Sequence, residues 1–460
     1  MCSGVEEQLV TVASLVESYA AIRRDCPRSA APGARPADSA TRTTAAPVSC
    51  PPVPPELRHE HILQRTDFER IGHGEDRSGT VAQARRSRAR GKSVIVGVAI
   101  LMAGLVAGCG GSNTPQAAWD AQLTDSITRA MRQASIPGAI VGVWQDGKAP
   151  YVRPFGVRDT ASGQPMATDL YMRIGSLTKT FTVTAVLQLV DQGKIGLDDP
   201  IDRYVPGVPG GNAITIRQLA AMRSGLYSYT DDLIPTLPSN PGRQWTPQEL
   251  LAMSFSHPPR FAPGTEFDYS NTNTVLLGLV IEKVSGQSLE AYLDEHIVGP
   301  EHMAHTVFPT DAAFPSPHAQ GYMTMPDGKI VNSTDWNPSW GWAAGAMIST
   351  LDDLHTWIPD LATGKLLTPA TQREREQFLP APQEGEGAEY GLGLENQNGW
   401  IGHNGNIVGY LTYPYYLPSK KITMVVLLNS SNVLGSWALI QAMTKIISPD
   451  HPWPSLPAHP

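Results

Sequence analysis

The chain has 460 residues, 41% of them hydrophobic and 17% charged, a composition that suits a globular protein of one large or two interleaved domains. Charge divides near residue 109: residues 1–108 hold 14 basic and 11 acidic side chains, whereas 109–460 hold 21 and 32. So acidic a body argues against nucleic acid as a partner and gives no electrostatic reason to lie on anionic lipid. All four cysteines (Cys2, Cys26, Cys50, Cys109) lie at or before position 109, so the body must be stabilised by packing rather than disulfides.

Residues 1–80 show no sustained periodicity and contain Pro/Ala-rich runs such as Pro51-Pro52-Val53-Pro54-Pro55. Residues 1–84 therefore read as a disordered or misassigned extension, with translation expected to begin near residue 80. A basic run from Arg85 to Lys92 leads into fifteen apolar positions, Val94–Gly108, followed by Cys109. That length is short for a spanning helix and right for a signal-peptide core. Val106-Ala107-Gly108-Cys109 resembles a bacterial lipobox, which makes 85–109 a lipoprotein signal peptide and Cys109 the lipidated residue. A buried helix or an uncleaved anchor is the alternative. Residues 110–117 then form a tether, and the expected location is the outer face of the cell membrane.

In the body, Leu123, Ile127 and Met131 give helical spacing over 120–133. Residues 138–144 and 151–157 read as two antiparallel strands joined at Asp146-Gly147-Lys148. Residues 176–192 form a helix with an unusually apolar body. Further helices are predicted near 215–223, 247–255, 271–285, 288–296 and 350–361, then strands at 399–402, 406–417 and 421–428 and a closing helix at 433–447. Strands at both ends with helices between them predict an α+β fold, an α/β sandwich: one antiparallel sheet completed by both termini and flanked by helices, with a mostly helical insertion over about 196–320. The domain runs from 118 to 447, and the Pro-rich tail 448–460 is expected to hang free.

Three constellations can carry chemistry. In Ser176-Leu177-Thr178-Lys179, positions i and i+3 share a helix face, which puts an amine beside a hydroxyl that needs a base before it can attack. Lys179 is the one lysine of ten with a serine three residues before it, although a helix cap beside a satisfied core cation would give the same pattern. Tyr269-Ser270-Asn271 is the single Tyr-x-Asn. A phenol beside an ammonium loses its proton more easily and can act as a base, and the Asn271 amide can meet both Lys179 and a substrate carbonyl. A turn with Asn271 as helix cap explains the same residues. His403-Asn404-Gly405 is the single His-x-Gly, where glycine would let a substrate lie against a strand edge; a strand-end histidine before a turn glycine is the plain alternative.

The order Ser-x-x-Lys, Tyr-x-Asn, His-x-Gly resembles the superfamily of class C β-lactamases, DD-peptidases and related esterases, and looks closest to actinomycete D-alanyl-D-alanine carboxypeptidases. Arg173-Ile174-Gly175, Ser224-Gly225-Leu226-Tyr227 and Tyr390-Gly391-Leu392-Gly393-Leu394 strengthen the resemblance, which runs from about 118 to 446. It implies that Ser176 becomes acylated, that Tyr269, poised by Lys179, shuttles its proton, and that His403 sits near the leaving group. The oxyanion would lie between the backbone N–H groups of Ser176 and Asn406, with Asn271 and Gly405 also at the substrate and Trp340 lining the cleft. One position departs from the pattern: Glu395 stands where the carboxypeptidases hold a terminal carboxylate with arginine, so a carboxylate is expected to face a carboxylate.

The leading expectation is an exported DD-carboxypeptidase-type serine hydrolase acting on a small-molecule or peptide substrate. An esterase or amidase on uncharged acyl substrates comes next, then a non-catalytic envelope binding lipoprotein. Glu301, His302 and His305 have loose metal-ligand spacing but no further ligand in evidence, and no phosphate loop or dinucleotide fingerprint appears, so no metal and no cofactor is expected.

Overall fold

A computed structural model describes residues 114–456; the extension 1–84, the signal segment 85–109 with Cys109, and residues 110–113 of the tether lie outside the described residues. Helix α1 (Pro115–Gln133) begins earlier than its apolar spacing indicates, because Thr114 caps it by accepting the Ala117 N–H and Pro115 fits its first turn. Its buried stripe is the expected Leu123, Ile127 and Met131. Strands β1 (Gly138–Gln145) and β2 (Tyr151–Gly156) follow. A single 3₁₀ turn, Gly175–Leu177, then feeds α2 (Thr178–Asp191). Short helices at Ile216–Ala220 and Pro247–Phe255 precede α3 (Asn271–Ser285) and, later, α4 (Leu351–Thr363). The chain returns as β3 (Glu395–Gln397), β4 (Trp400–Gly402), β5 (Gly405–Ile407), β6 (Tyr410–Leu417) and β7 (Ile422–Leu428), and ends in α5 (Val433–Ile447).

The fold is α+β, as the pattern of elements predicted. One antiparallel sheet runs β2-β1-β7-β6-β4-β3 and continues through Glu389–Tyr390 to Leu379–Pro380, with β5 pairing off β6. Both ends of the domain meet in it, since Ala139 pairs with Leu428 and Gln145 with Ile422. The strand Ile422–Leu428 is buried throughout, and apolar except at Thr423, because both of its faces are covered. Val425 and Leu427 point into a core shared with α2, α3 and α4, whereas Met424, Val426 and Leu428 point into a second core under α1 and α5. The predicted strand 406–417 is in fact a hairpin: Ile407 pairs with Tyr410 across a two-residue turn, and Gly409 takes φ +86°, which a side chain would strain.

The tail does not hang free. Trp453 is buried against Tyr413, Tyr415 and Trp437, its backbone N–H donates to Thr444 Oγ1 at 2.9 Å, and the Pro454 carbonyl accepts from Trp437 and Gln441. Proline prevents a helix here but does nothing to prevent docking. Trp453→Ala is therefore expected to lower the unfolding free energy by about 3 kcal/mol, measured by urea titration, since a buried tryptophan is lost from a formed core.

Candidate active site

Ser176 lies in the 3₁₀ turn and Lys179 in the first turn of α2, so the spacing of three delivers the amine to the hydroxyl. The turn is possible because residue 175 is glycine: its φ is +52°, and a Cβ there would fall 2.7 Å from the backbone nitrogen of Asn406. That close approach sets Ser176 and Asn406 on one cavity of about 400 Å³. Lys179 is fully buried, and its Nζ stands 3.0 Å from Ser176 Oγ, 2.7 Å from Asn271 Oδ1 and 2.8 Å from the Ala344 carbonyl. Two of these partners can only accept, so two N–H bonds are committed to them. The third position of the amine, whether proton or lone pair, faces the serine.

Burial makes an ammonium costly, and the Lys179 pKa falls to about 7 despite the nearby charges of Glu384 and Glu395. The free base is then within reach near neutral pH. Tyr269, just before α3, moves the opposite way. The Lys179 ammonium sits over its ring, 4.8 Å from the centroid, but loss of solvent and the charge of Glu384 push the phenol well above 10, against the pull of a hydrogen bond with Ser176. The expectation of an easily deprotonated tyrosine is thus reversed: shielding from water penalises phenolate as it does ammonium, and so favours the neutral form of both groups. Asn271 does not cap α3, whose cap position is Ser270. Its amide spans Lys179 and Thr230 Oγ1, the latter at 3.0 Å.

His403 is not at the mouth of the cavity. It is wholly buried behind Tyr269, with Nε2 3.5 Å from the Tyr269 hydroxyl and 3.0 Å from that of Tyr390. Its Nδ1 lies 2.6 Å from the Asn404 carbonyl and 3.2 Å from Glu395 Oε1. Both of those groups accept, so the proton sits on Nδ1 and Nε2 accepts from the phenols. Burial lowers the histidine pKa and keeps the ring neutral. Gly405 lies against neighbouring backbone. A Cβ there would lie 1.9 Å from the Ile174 carbonyl oxygen, so this glycine lets β5 press against the segment that leads to the serine. Trp340 and Asn406 line the cavity as expected, and Trp340 is held by a 2.7 Å hydrogen bond from Tyr229 to its carbonyl.

Glu395 corrects the sequence reading most sharply. It has no solvent exposure, takes a hydrogen bond from Tyr415 and faces His403, so it meets no substrate carboxylate. Its Oε1 stands 3.2 Å from His403 Nδ1, where its charge can orient the imidazole. Glu395→Gln is expected to cut kcat about tenfold with KM unchanged, and to shift the pH profile of kcat, without lowering the melting temperature. A loss confined to stability would contradict that role. Tyr390 entered the sequence reading only through the segment it opens, whereas Glu384, Tyr229 and Thr230 escaped it. The last two follow Ser224-Gly225-Leu226-Tyr227 closely enough to have been suspected, whereas Glu384 lies in an irregular Pro/Gly loop with no periodic signal.

A family model described as Beta-lactamase matches residues 123–439. Protein flp from Staphylococcus aureus (strain MW2) is 28% identical over 321 residues, covering 67% of this chain. The chain spans 62% of that relative's length. Among solved structures, a D-stereospecific amidohydrolase from Streptomyces sp. is 33% identical with a TM-score of 0.63, over 69% of this chain and 98% of its own. The D-amino acid amidase from Ochrobactrum anthropi SV3, solved with L-phenylalanine amide, is 26% identical with a TM-score of 0.62, over 71% and 99% respectively.

Proposed function

Because this chain belongs to the beta-lactamase family, we propose that it is a serine hydrolase that cleaves amide or ester substrates through an acyl-enzyme on Ser176. The observation that carries this reading is Lys179: its Nζ is 3.0 Å from Ser176 Oγ, its other two hydrogen bonds are fixed, and burial brings its pKa to about 7. Neutral Lys179 takes the hydroxyl proton as Oγ bonds to the carbonyl carbon, and the carbonyl electrons move to oxygen, met by the N–H groups of Ser176 and Asn406. The intermediate collapses, the bond to the leaving nitrogen or oxygen breaks, and Tyr269 supplies its proton. Lys179 then returns a proton to Tyr269, with His403 behind the phenol steadying it. Water completes the cycle by the reverse route.

An amidase or esterase is favoured over a D-alanyl-D-alanine carboxypeptidase. No arginine or lysine is among the residues that line the cavity, so a terminal carboxylate finds no cation there. A D-Ala-D-Ala peptide assayed beside its C-terminal amide ranks the two, and faster turnover of the free acid would reverse the preference. Mass spectrometry after treatment with a fluorophosphonate tests the acyl-enzyme itself. An adduct is expected on the peptide containing Ser176, and an unmodified serine would support the binding-lipoprotein reading instead. We further propose a lipid anchor at Cys109 that holds the enzyme on the outer face of the membrane. Labelled palmitate should enter the wild-type protein and be lost in Cys109→Ser.

A further inference from the structure

Among the residues that line the cavity, Glu384 is the one with a formally charged side chain; the others are polar, such as Asn404 and Ser431, or apolar, such as Met323, Trp340 and Val408. Other acids of this region are engaged. Glu395 holds Tyr415 and His403, and Glu389 takes a hydrogen bond from Asn396. The Glu384 carboxylate has no hydrogen bond or ion pair to any described residue. Its backbone, by contrast, is fixed: the carbonyl accepts from Gln397 Nε2 at 3.1 Å, the N–H donates to the Ala381 carbonyl at 2.9 Å, and the neighbouring Gln383 side chain accepts from the backbone of Tyr269. A carboxylate on the cavity wall, its backbone fixed and its oxygens without a hydrogen-bond partner, is a binding group for a cation.

We propose that Glu384 forms a subsite for a positively charged nitrogen of the substrate, so that the enzyme prefers acyl donors with a free primary amine near the scissile carbonyl over their N-acylated counterparts. This rests on the serine hydrolase reading above and names its substrate class. Burial and the charge of Glu395 raise the Glu384 pKa to about 8 against the pull of Lys179, so an arriving ammonium favours the charged carboxylate. The effect reaches the base. Glu384 is one of the two carboxylates whose charge favours the protonated form of Lys179. Once Glu384 is paired with a substrate cation, Lys179 loses that support and gives up its proton more readily. A cationic substrate thereby helps to generate the free amine that attacks on its behalf.

The test compares an aminoacyl p-nitroanilide with its N-acetyl derivative on wild type, Glu384→Gln and Glu384→Asp, with fluorophosphonate labelling of Ser176 as a parallel readout. Wild type is expected to favour the free amine by about 30-fold in kcat/KM, Glu384→Gln to bring the ratio near one, and Glu384→Asp to fall between them. The lower pH limb of wild-type kcat should lie at lower pH for the amine than for the acetyl compound, a difference that vanishes in Glu384→Gln. Full labelling with an unchanged ratio in Glu384→Gln overturns the subsite alone. Absence of both label and turnover in the wild type overturns the acyl-enzyme and the subsite with it.

Discussion

Ser176→Ala is expected to lower kcat by about 100,000-fold and to abolish the fluorophosphonate adduct, because it removes the atom that forms the covalent bond. The size follows from how the centre is built. Lys179 and Tyr269 both reach the serine oxygen and Asn271 holds Lys179, and none of the three can replace the serine as a nucleophile: the amine is buried, the amide is inert, and the phenol is held protonated. The fold should be indifferent to the change. The Ser176 hydroxyl sits in a partly exposed turn, and the neighbouring Thr178 and Thr180 keep their own hydrogen bonds into the body of the protein. A melting temperature near that of wild type would assign the loss to chemistry. Residual turnover above about one part in a hundred would mean that another residue carries the acyl group.

Lys179→Met is expected to cost about 1,000-fold in acylation rate, because it deletes the base and keeps the volume. It also has a distinctive pH signature. The active form of Lys179 is the neutral amine and its pKa is about 7, so wild-type acylation should rise with pH through that value and level off above it. The variant should show no such limb. The sign of the stability change separates this from simple misfolding. The folded pKa of about 7 lies below the ordinary lysine value of 10.5, so between the two the unfolded chain binds more protons than the native one and wild-type stability rises with pH. Replacing the lysine removes that slope, so at pH 6 the variant should be at least as stable as wild type. A strongly destabilised variant would show instead that the amine serves the fold.

Much of this centre is legible in the chain because it is local. Ser176 and Lys179 meet through helical periodicity alone, and Asn271 enters because it is two residues from Tyr269, itself part of a single-copy motif. What could not be read is direction. Glu395, Asn396 and Gln397 alternate inward, outward and inward along β3, and nothing in the sequence sets that parity; it comes from pairing with Trp400–Gly402. The same residue could therefore have faced substrate or core, and it faces the core. The sign of the shift at Tyr269 was likewise hidden, since it depends on how many side chains crowd the phenol rather than on which lysine is near. Trp453 shows a third kind of blindness: proline-rich composition reports the absence of helix, while docking depends on a groove made by Tyr413, Tyr415 and Trp437.

The pairing of β1 with β7 also governs when the molecule can come into being. Ala139 finds its partner only at Leu428, on the last strand of the sheet, so a ribosome must deliver all the strands of this domain before the central ones can close. Until then β1 has only β2 beside it, and its other edge is an invitation to mispair. Fragments ending before Ile422 should therefore be caught by proteases or chaperones rather than accumulate as partial enzymes, and the serine, though early in the sequence, acquires its surroundings last.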